Sequence, residues 1–168
     1  YDERGNMTSK SIQSTQDERG VLGFAAAMVG AARTWTWRHN ATGQVTFEDG
    51  PRADVADTVS YGYDSEGNLV STTNALGHMT TVIAHSSHGY PLSIRDPNGQ
   101  VSTMTWDSLG RLKSRTEGSE TITVAYEAAG NIVTVSSSGG TAVAFSYDNA
   151  HRLTGVADEH GNRVAYTL

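Results

Sequence analysis

Large and small side chains alternate along much of this chain. Val143, Phe145 and Tyr147 share one parity, and Ala144 and Ser146 the other. The same holds for Ile122, Val124 and Tyr126 against Thr123 and Ala125, for Val59, Tyr61 and Tyr63 against Ser60 and Gly62, and for Val164, Tyr166 and Leu168 against Ala165 and Thr167. A period of two is the signature of a half-buried strand. It predicts large residues stacked across neighbouring strands into an aromatic and aliphatic ladder, each pair contributing about 0.2–1 kcal/mol. The small polar face would meet water or a partner. The strands that follow are less regular. Leu69, Leu112, Ile132 and Leu153 fall two residues after a turn, whereas Val133 and Val135, or Leu92 and Ile94, take the opposite parity. Both faces of those strands are partly apolar, and the pattern leaves open which one is covered.

Between the strands lies a recurring aromatic-acid-x-x-Gly signal. It reads Tyr63-Asp64-Ser65-Glu66-Gly67, Trp106-Asp107-Ser108-Leu109-Gly110 and Tyr126-Glu127-Ala128-Ala129-Gly130. It returns in altered form at His85-Ser86-Ser87-His88-Gly89 and at Tyr147-Asp148-Asn149-Ala150-His151. The anchors 63, 85, 106, 126 and 147 step by 22, 21, 20 and 21 residues. A period of this size means stacked supersecondary units, each completing its burial against its neighbours. A second turn follows each anchor by about ten residues, as in Asn74-Ala75-Leu76-Gly77, Asp96-Pro97-Asn98-Gly99 and Asp158-Glu159-His160-Gly161. Both turns have an Asp/Asn/Ser-x-x-Gly form. A side-chain acceptor at the first position suits a type I turn, and a glycine in the left-handed region closes it as a G1 bulge. Two such turns per unit leave two strands of about six residues, each roughly 20 Å long. The predicted fold is therefore all-β: repeated antiparallel hairpins in a long meander. Tyr63, Asp64, Gly67, Trp106, Asp107, Gly110, Tyr126, Gly130, Tyr147 and Asp148 are its structural anchors.

The N-terminal third departs from this rhythm. The Ala- and Gly-rich stretch at 21–33 reads as an inserted loop with at most a short helix, since three glycines oppose more. A second loop is expected at 48–58, and regular repeats over 59–168. The whole chain then reads as one array. Tyr1-Asp2-Glu3-Arg4-Gly5 is already a repeat turn and not a signal peptide. Leu168 falls where the next anchor would, so the chain reads as a segment of a longer array.

Composition agrees. Hydrophobic residues are 37% and charged residues 18%, with Ser, Thr and Gly making up the difference, which suits strands and tight turns. A net charge of -6 argues against a general nucleic-acid binder, which would carry a basic stripe. With no cysteine, disulfide frameworks and thiolate metal sites are excluded. No stretch is long and apolar enough to span a membrane as a helix.

Candidate chemistry is sparse. His85 and His88 make a His-x-x-His pair, but no third ligand sits at a telling spacing, and an anchor substitute beside a turn residue accounts for both. Glu48, Asp49, Asp54 and Asp57 cluster in one loop with oxygen ligands for calcium, though not at EF-hand spacing; solvated loop charge accounts for them. No serine sits in a nucleophile elbow. Trp35, Trp37 and Trp106 could stack on sugars, but on a strand face they read first as ladder residues. No catalytic, cofactor-binding or metal residue is assigned, and no enzymatic activity is expected.

The phased series resembles the Rhs/YD-repeat family. The resemblance is carried by the turns above together with Gly43-Gln44-Val45, Asp49-Gly50-Pro51-Arg52, Thr73-Asn74-Ala75-Leu76-Gly77, Gly110-Arg111-Leu112 and Ala150-His151-Arg152-Leu153-Thr154. The family includes bacterial polymorphic toxins, shell-forming parts of insecticidal toxin complexes and animal cell-surface adhesion proteins. The resemblance implies a β-sheet shell that encloses a polypeptide cargo, often a toxin domain, in an exported bacterial protein. Its implied partners are flanking repeats and that cargo, with self-association through open sheet edges. The family's self-cleaving region carries an Asp-Pro-x-Gly sequence, but Asp96-Pro97-Asn98-Gly99 occupies an ordinary second turn in mid-array, and no second carboxylate can be named beside it. Departures fall at His85, Ser86 and His151, and at the Ala-rich insert. The alternative function is a surface module recognising carbohydrate or protein through an exposed sheet face.

Overall fold

The computed structural model describes residues 1–167. They form fourteen strands, each antiparallel to its hydrogen-bonded neighbours, and one 3-10 turn at Gly23–Ala25. The all-β hairpin fold expected from the alternation is the fold observed. The chain divides into two units, Tyr1–Thr80 and Thr81–Leu168. The first holds β1 (Ser9–Thr15), β2 (Met28–His39), β3 (Val45–Asp49), β4 (Thr58–Tyr63) and β5 (Leu69–Asn74). β6 (Met79–His85) leads into the second, which continues with β7 (Pro91–Arg95), β8 (Val101–Trp106), β9 (Leu112–Glu117), β10 (Glu120–Tyr126), β11 (Ile132–Ser137), β12 (Ala142–Tyr147), β13 (Leu153–Asp158) and β14 (Arg163–Ala165). Within each unit the sheet order is the sequence order.

Two irregular stretches are shorter than the sequence suggested. The insert expected at 21–33 ends at Ala27, because Met28 and Val29 pair with Thr15 and Ser14 across the β1–β2 hairpin. That ladder outweighs the weak strand propensity of the alanines and glycines that follow. β2 meets β3 from Thr36 onward, so the hairpin runs roughly 25 Å past β3. The loop expected at 48–58 narrows to 50–57, since Glu48 pairs with Val59 and Asp49 with Thr58.

The parity left open by the sequence has a cause. At every anchor the ladder register shifts by one: Gly62 faces Ser71 while Tyr63 faces Leu69, leaving Val70 as the extra residue. The same shift makes Lys113 extra opposite Trp106, Val133 opposite Tyr126 and Thr154 opposite Tyr147. A bulge of this kind exchanges the two faces of the departing strand beyond it. That is why Ile132 and Val135, of opposite parity, both face the side of the anchors. The ladder expected on that face is present: Val124 faces Val135, Val135 faces Val143, and Phe145 faces Val156. The third member of the Val164, Tyr166 and Leu168 series lies outside the described residues.

No hydrophobic side chain is buried among the described residues; Ser102, 6% exposed, is the buried polar one. Strands in each unit touch their sheet neighbours, with no second layer among the described elements. The aromatic anchors are accordingly half-buried. Their cover comes from the side, from the next strand and the next turn.

Candidate functional site

The side chains with the most elaborate partners lie along the rim of anchor turns. At Asp64 the Gly67 N–H donates to the Asp64 carbonyl at 3.2 Å, and the Asp64 N–H donates to the Asn68 carbonyl at 3.0 Å. This is a type I turn closed by a G1 bulge, with Gly67 at φ +87°. The carboxylate then fills the turn: Asp64 Oδ1 accepts from the N–H groups of Glu66 and Asn68 at 2.9 and 2.8 Å. Asp107 does the same for Leu109 and Arg111, and Asp148 for Ala150 and Arg152. Two backbone donors of the turn are thus satisfied by one short side chain, which is why the position takes Asp, Asn or Ser. Glu127 is too long for this; its Oε1 accepts from the Asn131 side chain instead, at 2.5 Å.

These bonds favour the ionised carboxylate. The Arg111 N–H, more than any other group, lowers the Asp107 pKa below the usual carboxylate value, and the Arg111 side chain adds to it. The Arg152 N–H does the same for Asp148, again with its guanidinium beside it. At the second turn 158–161, the Asn162 side chain leads in holding Asp158 low.

Each aromatic anchor makes a second, longer-range bond. Tyr63 Oη donates to the Val45 carbonyl at 2.9 Å, Trp106 Nε1 to the Pro91 carbonyl at 2.8 Å, Tyr126 Oη to the Leu112 carbonyl at 2.9 Å, and Tyr147 Oη to the Ile132 carbonyl at 2.9 Å. The acceptor is always the first residue of the preceding strand. The anchor ends its own strand and reaches back to clasp the beginning of the strand behind it. An anchor therefore needs both a large flat body and a polar tip, which Tyr and Trp have and Phe lacks.

A third contact runs from turn to turn. At four turns the residue just after the turn leans over the turn of the following repeat. Gln44 Nε2 donates to the Gly67 carbonyl at 2.8 Å. Arg111 sits with its guanidinium carbon 4.3 Å from the centre of the Tyr126 ring and its Nε 2.7 Å from Asp107 Oδ2. Asn131 Nδ2 lies 3.2 Å from His151 Nδ1. Tyr90 lies so close over Gly110 that a Cβ there would come 2.2 Å from its hydroxyl oxygen. His151 stands at the turn glycine's place with φ 60°, the non-glycine positive φ among the described residues.

The sequence singled out the anchors, their acids and their glycines, and the structure brings these together along one rim within each unit. It missed the clasp acceptors and the post-turn residues, whose types vary too much to form a motif. It also passed over His39-Asn40-Ala41-Thr42-Gly43, a complete turn in which Asn40 Oδ1 accepts from Thr42 and Gln44 N–H groups. The Asn-x-x-Gly form could have found it, but a 24-residue step from 39 to 63 hid it from the period. The other candidates disperse. Arg52 pairs with Asp54 at 2.9 Å, Asp57 Oδ2 accepts from the Arg52 N–H, and Glu48 lies 3.4 Å from the Tyr61 hydroxyl. His88 Nδ1 is 3.3 Å from Ser87 Oγ. Among the described residues no three acidic or histidine side chains are placed to hold a metal. Asp96 caps its own turn through the Asn98 and Gln100 N–H groups. No helix among them is long and apolar enough to cross a membrane.

Residues 85–122 and 126–167 match the RHS Repeat family model, and those two segments are RHS repeats. Solved structures share the fold. The TcdB2-TccC3 crystal structure aligns with a TM-score of 0.67 at 14% identity, over 92% of this chain and 9% of that one. TcdB2-TccC3-Cdc42 gives 0.63 at 14% identity, over 89% and 8%. The Photorhabdus luminescens Tc holotoxin pore carrying a TccC3 mutation gives 0.63 at 14% identity, again over 89% and 8%. The chain thus spans under a tenth of the length of those chains. No curated protein sequence matches it. The repeats are structural units.

Proposed function

We propose that this chain is a wall segment of an RHS β-shell that encloses a polypeptide cargo, such as a toxin domain, within an exported bacterial protein. The observation that carries the reading is the uncovered large-residue face. Val124, Val135, Val143, Phe145 and Val156 line up on one side of the second unit, yet no hydrophobic side chain is buried among the described residues. A face of this kind is stable in water when something in the complete assembly lies against it. Flanking repeats and an enclosed chain supply that cover, and the same exposed strands support self-association in their absence. The anchor residues act in this reading as the fasteners that keep successive hairpins in register. They have no chemical role, and no catalytic step is assigned to the segment.

Electron microscopy and limited proteolysis of the full-length chain test the proposal together. The expected result is a closed hollow wall with protein density inside, and an internal segment that resists protease until the wall is loosened by Tyr126→Ala. An open ribbon, or an internal segment cut as fast as the same segment alone, would overturn it.

A further inference from the structure

One step of the rim differs from the others. After the other anchor turns the leaning residue is polar: Gln44, Arg111 and Asn131. After the turn at 86–89 it is Tyr90, whose ring stacks on Trp106 with centroids 5.2 Å apart and planes 26° from parallel. His88 extends the row, 6.5 Å from Tyr90 at 29°. Trp106 is pinned by its bond to the Pro91 carbonyl, and Tyr90 by its seat over Gly110. The rings flank a groove of about 350 Å³ between two successive turns, walled by Ser86, His88, Ser108 and Leu109. That volume is at the lower end of the range for small-ligand sites. Tyr90 is 38% exposed and Leu109 72%.

The chemistry of the groove selects its ligand. No Lys or Arg lines it, so nothing there would recognise phosphate, sulfate or another anion. Its one carboxylate, Asp107, is already engaged by Arg111 and by the turn's own N–H groups, so it does not call for a cation. What remains is a rigid apolar platform with hydroxyl and imidazole groups at its border. A pyranose matches this, with a C–H face for the rings and hydroxyls for Ser86, His88 and Ser108. A nucleobase would fit the platform, but its phosphates would meet a chain of net charge -6 with no Lys or Arg in the groove. We propose that the Tyr90–Trp106 groove is a binding subsite for a neutral saccharide, on the turn rim of the sheet side that carries the anchors.

Calorimetric titration of the intact chain with neutral hexasaccharides of glucose (α- and β-linked), N-acetylglucosamine, galactose and mannose tests this at millimolar concentrations. At least one should bind saturably. Tyr90→Gln installs the residue used after the turn at 40–43, so the turn-to-turn contact is kept while the ring is lost; it should weaken binding at least about tenfold. Trp106→Tyr keeps the clasp donor used by the other anchors and shrinks the platform, so it should weaken binding with little loss of stability. Absence of saturable binding to every sugar would overturn the proposal. So would binding that Tyr90→Gln leaves unchanged, or a groove that takes an aromatic peptide but no sugar. None of these outcomes bears on the closed wall, which microscopy decides separately.

Discussion

In Thr81–Leu168 three anchors, Trp106, Tyr126 and Tyr147, clasp the strand behind them, and each sits at the same register shift. In Tyr1–Thr80 one aromatic does so, Tyr63. The place corresponding to an anchor at the end of β2 is held by His39, whose Nδ1 is buried without a hydrogen-bond partner. The first unit also carries the long β1–β2 hairpin, at whose tip Phe24, Val21 and Leu22 stand exposed. Asp17 braces that tip by accepting the Leu22 N–H at 2.6 Å. The two units have the same kind of sheet and the same turns, but differ in how often the fasteners recur. With no hydrophobic side chain buried among the described residues, the sheet depends on local bonds of this kind, so loss of a fastener should be felt more where neighbours share it.

The largest expected effect tests that dependence. Tyr126→Ala removes the clasp to Leu112 and the half-buried ring under Arg111. It should cost about 2–3 kcal/mol, summing a hydrogen bond and a half-buried ring. Tyr63→Ala removes one bond and a half-buried ring without a stacked guanidinium, and should cost less. Urea unfolding of both variants decides; equal losses would erase the proposed difference between the units. Tyr126→Phe and Tyr147→Phe isolate the bond itself, and each should cost about 1 kcal/mol.

Glycine substitutions sharpen the comparison at the turns. Gly77 in the first unit has φ +80° with nothing within 4 Å of a would-be Cβ, whereas Gly110 has φ +76° beneath Tyr90. Alanine at either should cost about 1–2 kcal/mol from the left-handed backbone alone. Gly110→Ala should cost more, because Tyr90 must move off Trp106. If thermal unfolding ranks the two equally, the Tyr90 seat contributes nothing to stability.

Acid should separate the turns that use aspartate from those that use asparagine. Asp107, Asp148 and Asp158 are held below the ordinary carboxylate value when folded. Their contribution is therefore complete above the unfolded value of about 3.9 and is lost as pH falls through the lowered folded values. Asn40 and Asn74 cap their turns with the same acceptor geometry and do not titrate. A double variant, Asp107→Asn with Asp148→Asn, should therefore lose less stability on acidification than the parent. An unchanged acid limb would show that other groups set it.

Much of this was legible in the residues. Alternation in Val143 to Tyr147 gave the strands, and Asp-x-x-Gly at 64, 107 and 148 gave the turns, because both signals are local and short-range. What was hidden is what depends on pairing. The extra residues Val70, Lys113, Val133 and Thr154 are chemically unrelated, so a bulge that exchanges faces leaves no motif, only blurred parity in the strand. The clasp acceptors are backbone carbonyls, which no side-chain pattern reports. Met28 to Ala32 looked like a loop because its small residues take their strand geometry from β1 across the hairpin. Tyr90 carried no signal until its neighbour across the rim, Gly110, was known.

The smallest expected effect has the opposite sign from the others. His151 occupies the turn position that glycine holds after the other anchors, at φ 60°, where an L side chain costs about 1–2 kcal/mol relative to glycine. Against this it gains the contact with Asn131 at 3.2 Å and stands 3.8 Å from Glu127 Oε1, on a side chain 59% exposed. Exposed contacts of that type contribute under about 1 kcal/mol. Glycine also costs conformational entropy in the unfolded chain, so the two backbone effects partly cancel. His151→Gly should therefore leave the second unit unchanged or stabilise it by up to about 1 kcal/mol. A clear loss of stability in thermal unfolding would mean that the histidine is a fastener in its own right, joining this turn to the one before it as Arg111 joins its own to Tyr126.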